Sequence, residues 1–306
     1  MAMRRNLLLQ ESQLLERFDR IRVWQQGDRR AVHKPLLVLL MLGRLARGES
    51  RARFDEIEDD LRRLLDQFGP ASAAASRHNP FWHLRTDGLW ALDGPSSIIG
   101  RPPAATPTLT EARTLTGSFA PDVLAALLKN SALIAQIAQR IVAGHFPESL
   151  QQDVLSAVGL EGTEAGADAA SDRARRDPSF RPRVLLAYEY RCCVCRHDLR
   201  LDGQVVGLEA AHIRWVQAKG PDIEPNGLAL CSLHHKLFDL GVFTVLPGQY
   251  MLVVSQHVTG SDEVRARLMG YHGAGIVLPQ SRTSYPAAEF LAWHQGEVFK
   301  KPQREV

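Results

Sequence analysis

The sequence lacks any long apolar run and any strong excess of charge. No stretch of its 306 residues approaches the length of a membrane span, and the leucines at positions 7–9 form too short a run for the core of a signal peptide. The net charge is only +3, so overall charge alone does not indicate nucleic acid as a partner. No internal repeat is present. These absences predict a soluble protein without a membrane anchor or a secretion signal.

Cysteine is also scarce. The chain has four cysteines, and three of them lie between Cys192 and Cys195, a spacing that suits a metal site better than a disulfide framework. Apolar residues make up 45% of the chain and charged residues 23%, as in an ordinary globular protein. A chain of this length can form two domains with their own cores. The composition therefore predicts a cytoplasmic protein in a reducing compartment, with a metal-binding knuckle.

The stretch from Glu209 to Gly241 carries the main functional signal. It contains His212, Asn226 and His235 in this order, with thirteen residues between the first pair and eight between the second. This pattern resembles the HNH nucleases, whose ββα-metal finger hydrolyses phosphodiesters with one divalent cation. A histidine near its reference pKa can deprotonate water, and a divalent cation can stabilise the charge that develops on the phosphate. The resemblance therefore implies a DNA endonuclease.

The resemblance also implies a role for each of the three residues. His212, at the end of a strand, would be the general base. Asn226 would brace the following loop or reach the metal, and His235, on a helix that starts near Ser232, would bind a Mg²⁺- or Mn²⁺-type ion. Many HNH nucleases have an acidic metal ligand directly before the first histidine, whereas this chain has Ala211. The second protein ligand of the catalytic metal is therefore unassigned.

Two carboxylates could replace that ligand. Glu209 lies two residues before Ala211, on the same side of an extended strand, and Asp239 lies four residues after His235, on the same face of a helix. An Ala-Ala-His sequence also occurs in one HNH subfamily of restriction enzymes, so Ala211 does not by itself indicate an inactive site. The sequence leaves the choice between the two carboxylates open.

A second metal site is predicted from the cysteines. Cys192, Cys195, Cys231 and His234 form a C-x-x-C and a C-x-x-H knuckle, and three thiols with one imidazole suit a closed tetrahedral zinc site. Such a zinc ion would be structural, since a small ββα unit has little core of its own. Cys193 is left as a spare thiol, although its spacing to Cys195 makes the assignment ambiguous. The alternative is a branch of the family without zinc, in which these side chains are buried thiols.

The N-terminal half contains two further segments, HKPLLVLLMLGRL and RHNPFWHLRTDGLW. They resemble the sulfur-binding domain of the McrA-like type IV restriction endonucleases, which pair such a domain with a C-terminal HNH unit and cut phosphorothioate-modified DNA. The resemblance covers both halves of the chain in the same order. It implies that the first domain binds phosphorothioated double-stranded DNA and selects where the HNH domain cuts.

Recognition of sulfur on a phosphate calls for a small apolar wall next to cationic or polar donors, because sulfur is larger, softer and less hydrated than oxygen. Pro80 could offer that wall, although a simple turn role is equally open. The candidates for contact with sulfur or DNA are His33, Lys34, Arg77, Asn79, Pro80, His83 and Arg85. The neighbouring Phe81, Trp82 and Trp90 are expected in the core rather than as stacking platforms.

The predicted fold class is α+β with two domains. We expect a mostly helical DNA-binding domain at 1–165, a linker at 166–180 and an HNH domain at 181–306, a ββα-metal finger with a zinc knuckle. Small and acidic residues without bulky apolar ones mark the boundary near residue 165. The expected helices are 7–24, one beginning at His33-Lys34-Pro35, 54–68, 121–143 with a break at Asn130-Ser131, 184–188 and one in the C-terminal tail. Hairpins are expected at 81–92, around an Asp-Gly turn, and at 241–255.

Two other functions stay open. The enzyme could recognise a different modification such as methylated cytosine, and an aromatic-walled cavity around Trp82 and Trp90 would support that. Alternatively, the chain could be a catalytically silent, zinc-stabilised DNA-binding protein, and Ala211 is the main support for this reading. Cutting both strands with one active site per chain suggests a homodimer, for which the apolar helix at 121–143 is a candidate interface.

Overall fold

The computed structural model describes residues 2–21, 32–70, 77–161 and 177–305, with side chains from residue 11 onward. By their contacts these residues divide into two units, one holding the described residues up to 161 and the other those from 177 onward. The predicted boundary near residue 165 lies outside the described residues. None of the described helices is long and apolar enough to cross a membrane. The predicted α+β class with two domains is confirmed.

The first unit is mostly helical, as predicted. Its elements are α1 Ala2–Asp19, α2 His33–Ala46, β1 Arg51–Arg53, α3 Phe54–Phe68, α4 Asn79–His83, β2 Trp90–Asp93, α5 Ser96–Ile99, α6 Leu109–Ala112, β3 Thr116–Phe119, α7 Pro121–Lys129, α8 Ala132–His145 and α9 Glu148–Ala157. A 3-10 turn, Leu84–Asp87, follows α4. Of the expected 7–24 helix, residues 7–19 lie in α1, and the end of that segment lies outside the described residues.

Helix α2 lies at the centre of this unit. Every residue from Pro35 to Gly43 is buried, which explains why its sequence is apolar on all sides. Proline fits its first turn because the missing N–H would have no helical partner there. Helices α3 and α8 pack against it. At Gly43 a Cβ atom would lie only 1.9 Å from the carbonyl oxygen of Val158, so the close approach of the chain after α9 requires glycine.

Three short strands form one antiparallel sheet in the order β1-β3-β2. Arg51 pairs with Ser118, and Trp90 pairs with Phe119. The predicted hairpin at 81–92 is wrong, because only its second arm is a strand, and that strand pairs with β3. Pro80 sits in the first turn of α4 and favours a helical start. Gly88, at φ +71°, ends the following 3-10 turn instead of forming a hairpin turn.

The three aromatic residues of this region belong to the core, as predicted. Phe81 and Trp82 are fully buried and Trp90 is 4% exposed. The ring of Phe81 packs edge-on against Trp90 at 5.4 Å, and Trp90 packs in the same way against Phe119 at 5.8 Å. These contacts join α4 to the sheet.

The apolar segment 121–143 is broken into two helices, α7 and α8, at the predicted position. The Asn130 side chain accepts a hydrogen bond from the N–H of Ala132 at 3.2 Å, which starts α8. The buried face of α8 packs against α1, α2 and α9, all within the same unit. Most of the apolar surface of this segment is therefore covered by its own chain, while Leu128 on α7 is 65% exposed.

Glu58 on α3 lies at the centre of a partly buried charge cluster. Its carboxylate accepts hydrogen bonds from Arg113 at 2.6 Å and from Arg77 at 2.7 Å. The bond from Arg113 and the second guanidinium hold the pKa of Glu58 at about 2, against the opposing effect of burial. The cluster ties α3 to the segments before α4 and after α6.

Glu58→Gln is expected to lower the unfolding midpoint of the first unit by a few degrees at neutral pH, which corresponds to about 1–2 kcal/mol. Because the folded pKa is depressed, this stabilisation is present above the unfolded pKa of about 4 and is lost as pH falls towards 2. Calorimetry at several pH values measures both effects. Asp59→Asn removes an exposed ion pair with Arg62 and should change little; an equal effect of both substitutions would contradict the prediction.

The second unit is built around one antiparallel strand pair and a helix. Its elements are α10 Phe180–Ala187, β4 Arg200–Leu201, β5 Gln204–Val205, β6 Leu208–His212, β7 Gly227–Cys231, α11 Ser232–Asp239, β8 Phe243–Val245, β9 Leu252–Val254, α12 Asp262–Arg267 and α13 Ala288–Glu297. Strands β6 and β7 pair with His212 opposite Gly227 and run directly into α11, which is the expected ββα arrangement. The hairpin β8–β9 and the helices α10 and α13 also confirm their predictions.

Candidate active site and metal centre

Asn226 holds the loop that separates β6 from β7. Its side chain is fully buried at the end of a 3-10 turn, Glu224–Asn226. The side-chain oxygen accepts the N–H of Arg214 at 2.8 Å, while the side-chain nitrogen donates to the carbonyl oxygens of Arg214 at 3.0 Å and Pro221 at 2.9 Å. Both ends of the amide are thus used within the loop. Of the two roles expected for Asn226, this geometry matches the bracing role.

His212 ends β6 and is held from two sides. Its Nε2 lies 2.7 Å from Oδ1 of Asp222, a residue of the same loop. Its ring stacks on Phe180 of α10, with centroids 4.0 Å apart and planes 14° from parallel. The side chain stays 17% exposed, so a substrate can still reach it. Asp222 was not predicted, because its position depends on the loop path and not on a strand or helix period.

His235 lies on α11 between two carboxylates. Its Nδ1 is 2.5 Å from Oε2 of Glu209, and its Nε2 is 3.2 Å from Oδ2 of Asp239. Both carboxylates that the sequence offered as replacement ligands therefore meet at this histidine. Burial lowers the pKa of His235, but Asp239 and Glu209 outweigh burial and raise it to about 10. The hydrogen bond to His235 in turn holds the pKa of Glu209 well below its usual range.

The two carboxylates are themselves oriented by neighbouring donors. Ser232, at the start of α11, donates its hydroxyl to Oε1 of Glu209 at 2.7 Å. The indole N–H of the buried Trp215 donates to Oδ1 of Asp239 at 3.0 Å. Oε2 of Glu209 and Nδ1 of His235 are ligand types that suit a divalent cation, whereas Asp239 lies at the opposite nitrogen of the ring. Such outer partners keep metal ligands in place.

A second group of metal-ligand atoms lies beside α11. One ligand atom each of Cys192, Cys195, Cys231 and His234 falls within 4.8 Å of the others. The sulfurs of Cys195 and Cys231 are 3.8 Å apart. Two thiolates on one tetrahedral zinc ion, each at about 2.3 Å, are separated by about the same distance. These four residues therefore fit a zinc ion, and Cys193 is not among them.

The orientation of His234 also suits this role. Its Nδ1 lies 3.1 Å from the sulfur of Cys231 and 3.7 Å from that of Cys192. Its Nε2 lies 3.0 Å from the carbonyl oxygen of Arg267, which fixes the ring with Nδ1 facing the sulfurs. The remaining thiol, Cys193, is also buried, and burial raises its pKa. The geometry favours Cys192 over Cys193 as a ligand.

In the first unit, several of the residues predicted to contact DNA form bonds within the chain. The ammonium of Lys34 lies 2.6 Å from the carboxylate of Asp87, and their side chains are only 13% and 2% exposed. The guanidinium of Arg85 lies 3.5 Å from the ring centroid of Trp82 and donates to two backbone carbonyl oxygens. Arg77 belongs to the Glu58 cluster. These three cationic side chains therefore already form ion pairs or hydrogen bonds within the first unit.

The other predicted recognition residues lie on or beside α4 and α2. Pro80 is buried, whereas Asn79, His83 and His33 are half-buried. Nε2 of His83 lies 3.1 Å from the hydroxyl of Thr106. Burial lowers the pKa of His83, and the charges of Lys34 and Arg85 lower it further. The structure thus brings His83, Lys34 and Arg85 into one neighbourhood.

Comparison with known proteins agrees with the two units. Residues 192–246 match the HNH endonuclease family, so the ββα site defines the class of the protein as an HNH DNA endonuclease. Residues 11–163, half of the chain, match the family described as the ScoMcrA-like DNA sulfur-binding domain. The chain belongs to this family, which confirms the resemblance noted in the sequence. A search of curated proteins finds no match.

Three solved structures are similar at low identity. The sulfur-binding domain of ScoMcrA with phosphorothioated DNA is 22% identical, covering 49% of this chain and 98% of that one, with a TM-score of 0.43. That of SprMcrA with phosphorothioated DNA is 18% identical, covering 50% and 96%, with a TM-score of 0.41. The type IV phosphorothioation-dependent restriction endonuclease ScoMcrA is 14% identical, covering 73% and 83%, with a TM-score of 0.38.

Proposed function

We propose that this protein is a modification-dependent restriction endonuclease that binds phosphorothioated double-stranded DNA and hydrolyses phosphodiester bonds near the modification. The observation that carries the proposal is the presence in one chain of a DNA sulfur-binding domain, matched at 11–163, and an HNH domain whose site residues come together. The first unit supplies selectivity. The second supplies chemistry, since an HNH finger contacts mainly the DNA backbone and has little sequence preference of its own.

In the second unit, His212 is the general base that removes a proton from the attacking water. Nδ1 of His235 and Glu209 would hold one Mg²⁺- or Mn²⁺-type ion, which would supply positive charge to the phosphate and the leaving 3′-oxygen, and Asp239 would orient the ring from Nε2. The short contact between Nδ1 of His235 and Glu209 supports this pair of ligands. Asn226 braces the loop between β6 and β7 and so keeps His212 in place.

The zinc proposed for the second metal site is structural. Four protein ligands would fill a tetrahedral ion and leave no position for substrate. Cys192 and Cys195 precede β4, whereas Cys231 and His234 lie at the start of α11. Zinc would thus join two parts of the unit that are distant in sequence. The four cysteines form no disulfide, which suits a reducing compartment such as the cytoplasm.

The surface around α4 is the proposed place of sulfur recognition. Asn79 and His83 are half-buried there, and the charges of Lys34 and Arg85 lie close to His83. A phosphorothioate keeps the charge of a phosphate, so it requires cationic or polar donors in addition to an apolar contact for sulfur. His33, Arg77 and Pro80 complete the proposed set and would be reached directly or through small rearrangements of neighbouring side chains.

The proposed enzyme works as a homodimer. Each chain offers one HNH site, so cleavage of both strands of a duplex calls for two chains or two successive binding events. The exposed Leu128 on α7 belongs to the segment suggested as an interface. A measured molar mass in solution, with and without modified duplex, tests this part.

The two alternative functions receive less support. A pocket for a flipped methylated base would need Trp82 and Trp90 in its walls, whereas both rings are packed inside the core of the first unit. A silent binding protein would need no assembled catalytic site, whereas His212 and His235 each have the partners that a base and a metal ligand require. Ala211 is fully buried in β6, and its methyl side chain offers no ligand atom to a metal.

Dependence on the modification is tested with two plasmids of the same sequence, one phosphorothioated and one unmodified, incubated with the full chain and Mg²⁺ or Mn²⁺. We expect cleavage of the modified plasmid alone, because selectivity lies in the first unit. Equal cleavage of both plasmids would support the nuclease activity and contradict the proposed sulfur recognition. No cleavage of either plasmid by folded, zinc-loaded protein would favour the silent binding protein.

A further inference from the structure

The imidazole of His212 has two nitrogens, and a neutral ring can take up a proton at only one of them. The nitrogen that already carries a hydrogen is the donor, and the other is the base. Nε2 of His212 lies 2.7 Å from Oδ1 of Asp222. An ionised carboxylate has no hydrogen to donate, so this bond is satisfied when Nε2 is the donor. The contact therefore selects one tautomer of the ring.

We infer that Asp222 is a positioning residue that holds His212 in the Nε2–H tautomer and leaves Nδ1 as the nitrogen that accepts the proton of the attacking water. This inference rests on the proposed function, in which His212 is the general base. As the O–H bond of the water breaks, its proton goes to Nδ1 and the hydroxide oxygen bonds to phosphorus. The bond to the 3′-oxygen breaks, and solvent protonates that oxygen. The carboxylate of Asp222 stabilises the imidazolium that results.

Asp222 is itself fixed before any substrate binds. Its second oxygen, Oδ2, accepts the backbone N–H of Asp177 at 3.0 Å. Its backbone carbonyl oxygen accepts a hydrogen bond from Arg183 at 2.7 Å. Phe180 then covers one face of the His212 ring. Both the direction and the plane of the imidazole are therefore set by contacts with the segment 177–183 and with the loop that contains Asp222. A base held in this way needs no rotation when the substrate arrives.

The two bonds to Asp222 make its amide variant informative. In Asp222→Asn one side-chain oxygen is replaced by an NH₂ group of nearly the same size. If the oxygen keeps the N–H of Asp177, the NH₂ group faces Nε2 of His212 and requires that nitrogen to be an acceptor. If the amide turns round, its NH₂ group faces the N–H of Asp177, which is also a donor. The first orientation keeps both contacts and reverses the tautomer of His212, whereas the second loses the contact with Asp177, so the variant disturbs the arrangement that the carboxylate maintains.

The kinetic test uses the full chain and its modified plasmid. Asp222→Asn is expected to lower kcat by about 10²- to 10⁴-fold with little change in KM, because a wrong tautomer affects proton transfer and not DNA binding. The matched control is Glu224→Gln, the same chemical change two residues further on in the same loop. Glu224 pairs with Arg183 at 2.9 Å, and its variant should keep kcat close to that of the wild type.

The outcomes separate this inference from the proposed function. If His212→Ala keeps full activity, the proposed base is wrong. If His212→Ala is inactive and Asp222→Asn keeps the wild-type kcat, the role of Asp222 is overturned. If both acid-to-amide variants lose activity equally, the loop is merely structural and the inference is again overturned.

A second measurement does not depend on activity. In long-range ¹H–¹⁵N spectra of ¹⁵N-histidine-labelled protein, at a pH where the imidazole is neutral, the His212 signal is assigned by its absence in His212→Ala. We expect a protonated Nε2 and an unprotonated Nδ1 in the wild type and in Glu224→Gln. Asp222→Asn should show the opposite tautomer or a mixture. An Nδ1–H tautomer in the wild type would refute the inference even if the plasmid assay shows no cleavage.

Discussion

His212→Ala is expected to reduce the rate of DNA cleavage by about 10²- to 10⁴-fold, the range that a general base contributes to a proton-transfer step. The substitution removes the imidazole that is proposed to accept a proton from water, and it leaves the contact between His235 and Glu209 intact. Initial cleavage rates on the phosphorothioated plasmid, measured with saturating Mg²⁺ or Mn²⁺, give the effect. Affinity for a modified duplex should stay unchanged, since recognition is proposed to lie in the first unit.

The control for this prediction is another histidine of the second unit. His257 is exposed, and its Nε2 lies 3.0 Å from the carbonyl oxygen of Lys301, so it has no part in the site around His212. His257→Ala should cut at the wild-type rate. Thermal unfolding of both variants shows whether loss of the His212 ring, which stacks on Phe180, has destabilised the second unit. Wild-type cleavage by a folded His212→Ala protein would refute the assignment of the base.

The elements of the fold that were predicted correctly are those whose sequence pattern lies within a few neighbouring residues. The apolar run of α2 with Pro35 in its first turn, the one-sided pattern of α3 and the break at Asn130 each depend on residues within a few positions of one another. The prediction of a hairpin at 81–92 was wrong because its local pattern fits two structures. Its Asp-Gly pair can form either a hairpin turn or the end of a 3-10 turn, and Pro80 in the first turn of α4 favours the helical path.

The candidate site was predicted only as far as spacing determines it. His212 ends β6, His235 lies on α11, and the four residues of the zinc centre form a C-x-x-C and a C-x-x-H pair, so short spacings in the sequence single them out. The contact between His212 and Asp222 depends instead on the path of the loop between β6 and β7, which Asn226 braces through bonds that no sequence period shows. The choice between Glu209 and Asp239 had no answer in the sequence because both contact His235.

The recognition surface was the least predictable part. Lys34 and Asp87 are 53 positions apart, yet they form a buried ion pair, and Arg77 is bound by Glu58 on α3. Pairing of charges across such distances depends on the packing of whole helices, so the sequence alone presents each of these cations as available to DNA. If Lys34 and Arg77 bind a phosphorothioate as proposed, that ligand has to compete with the carboxylates of Asp87 and Glu58.

The proposed zinc centre leads to the second large effect. Cys231→Ser is expected to abolish stoichiometric zinc binding and to unfold the second unit at temperatures where the wild type is folded. Serine is a far weaker zinc ligand than thiolate, and structural zinc contributes on the order of 10 kcal/mol or more to the folding of small domains. Cys231 ends β7 and directly precedes α11, so loss of this ligand also loosens the helix that carries His235.

Cys193→Ala provides the matched comparison for the zinc site. Cys193 is a neighbour of Cys192 in sequence and is 1% exposed, but it is outside the group of four ligands. Its removal should leave one zinc per chain and lower the unfolding midpoint only slightly, as expected for a small cavity. Zinc content by elemental analysis and calorimetry of the full chain measure both variants. Full zinc content in Cys231→Ser, or its loss in Cys193→Ala, would show that the four residues do not form the site. With zinc bound, β7 and α11 would be tied to the knuckle at Cys192 and Cys195, and this link would hold in place the helix that carries His235.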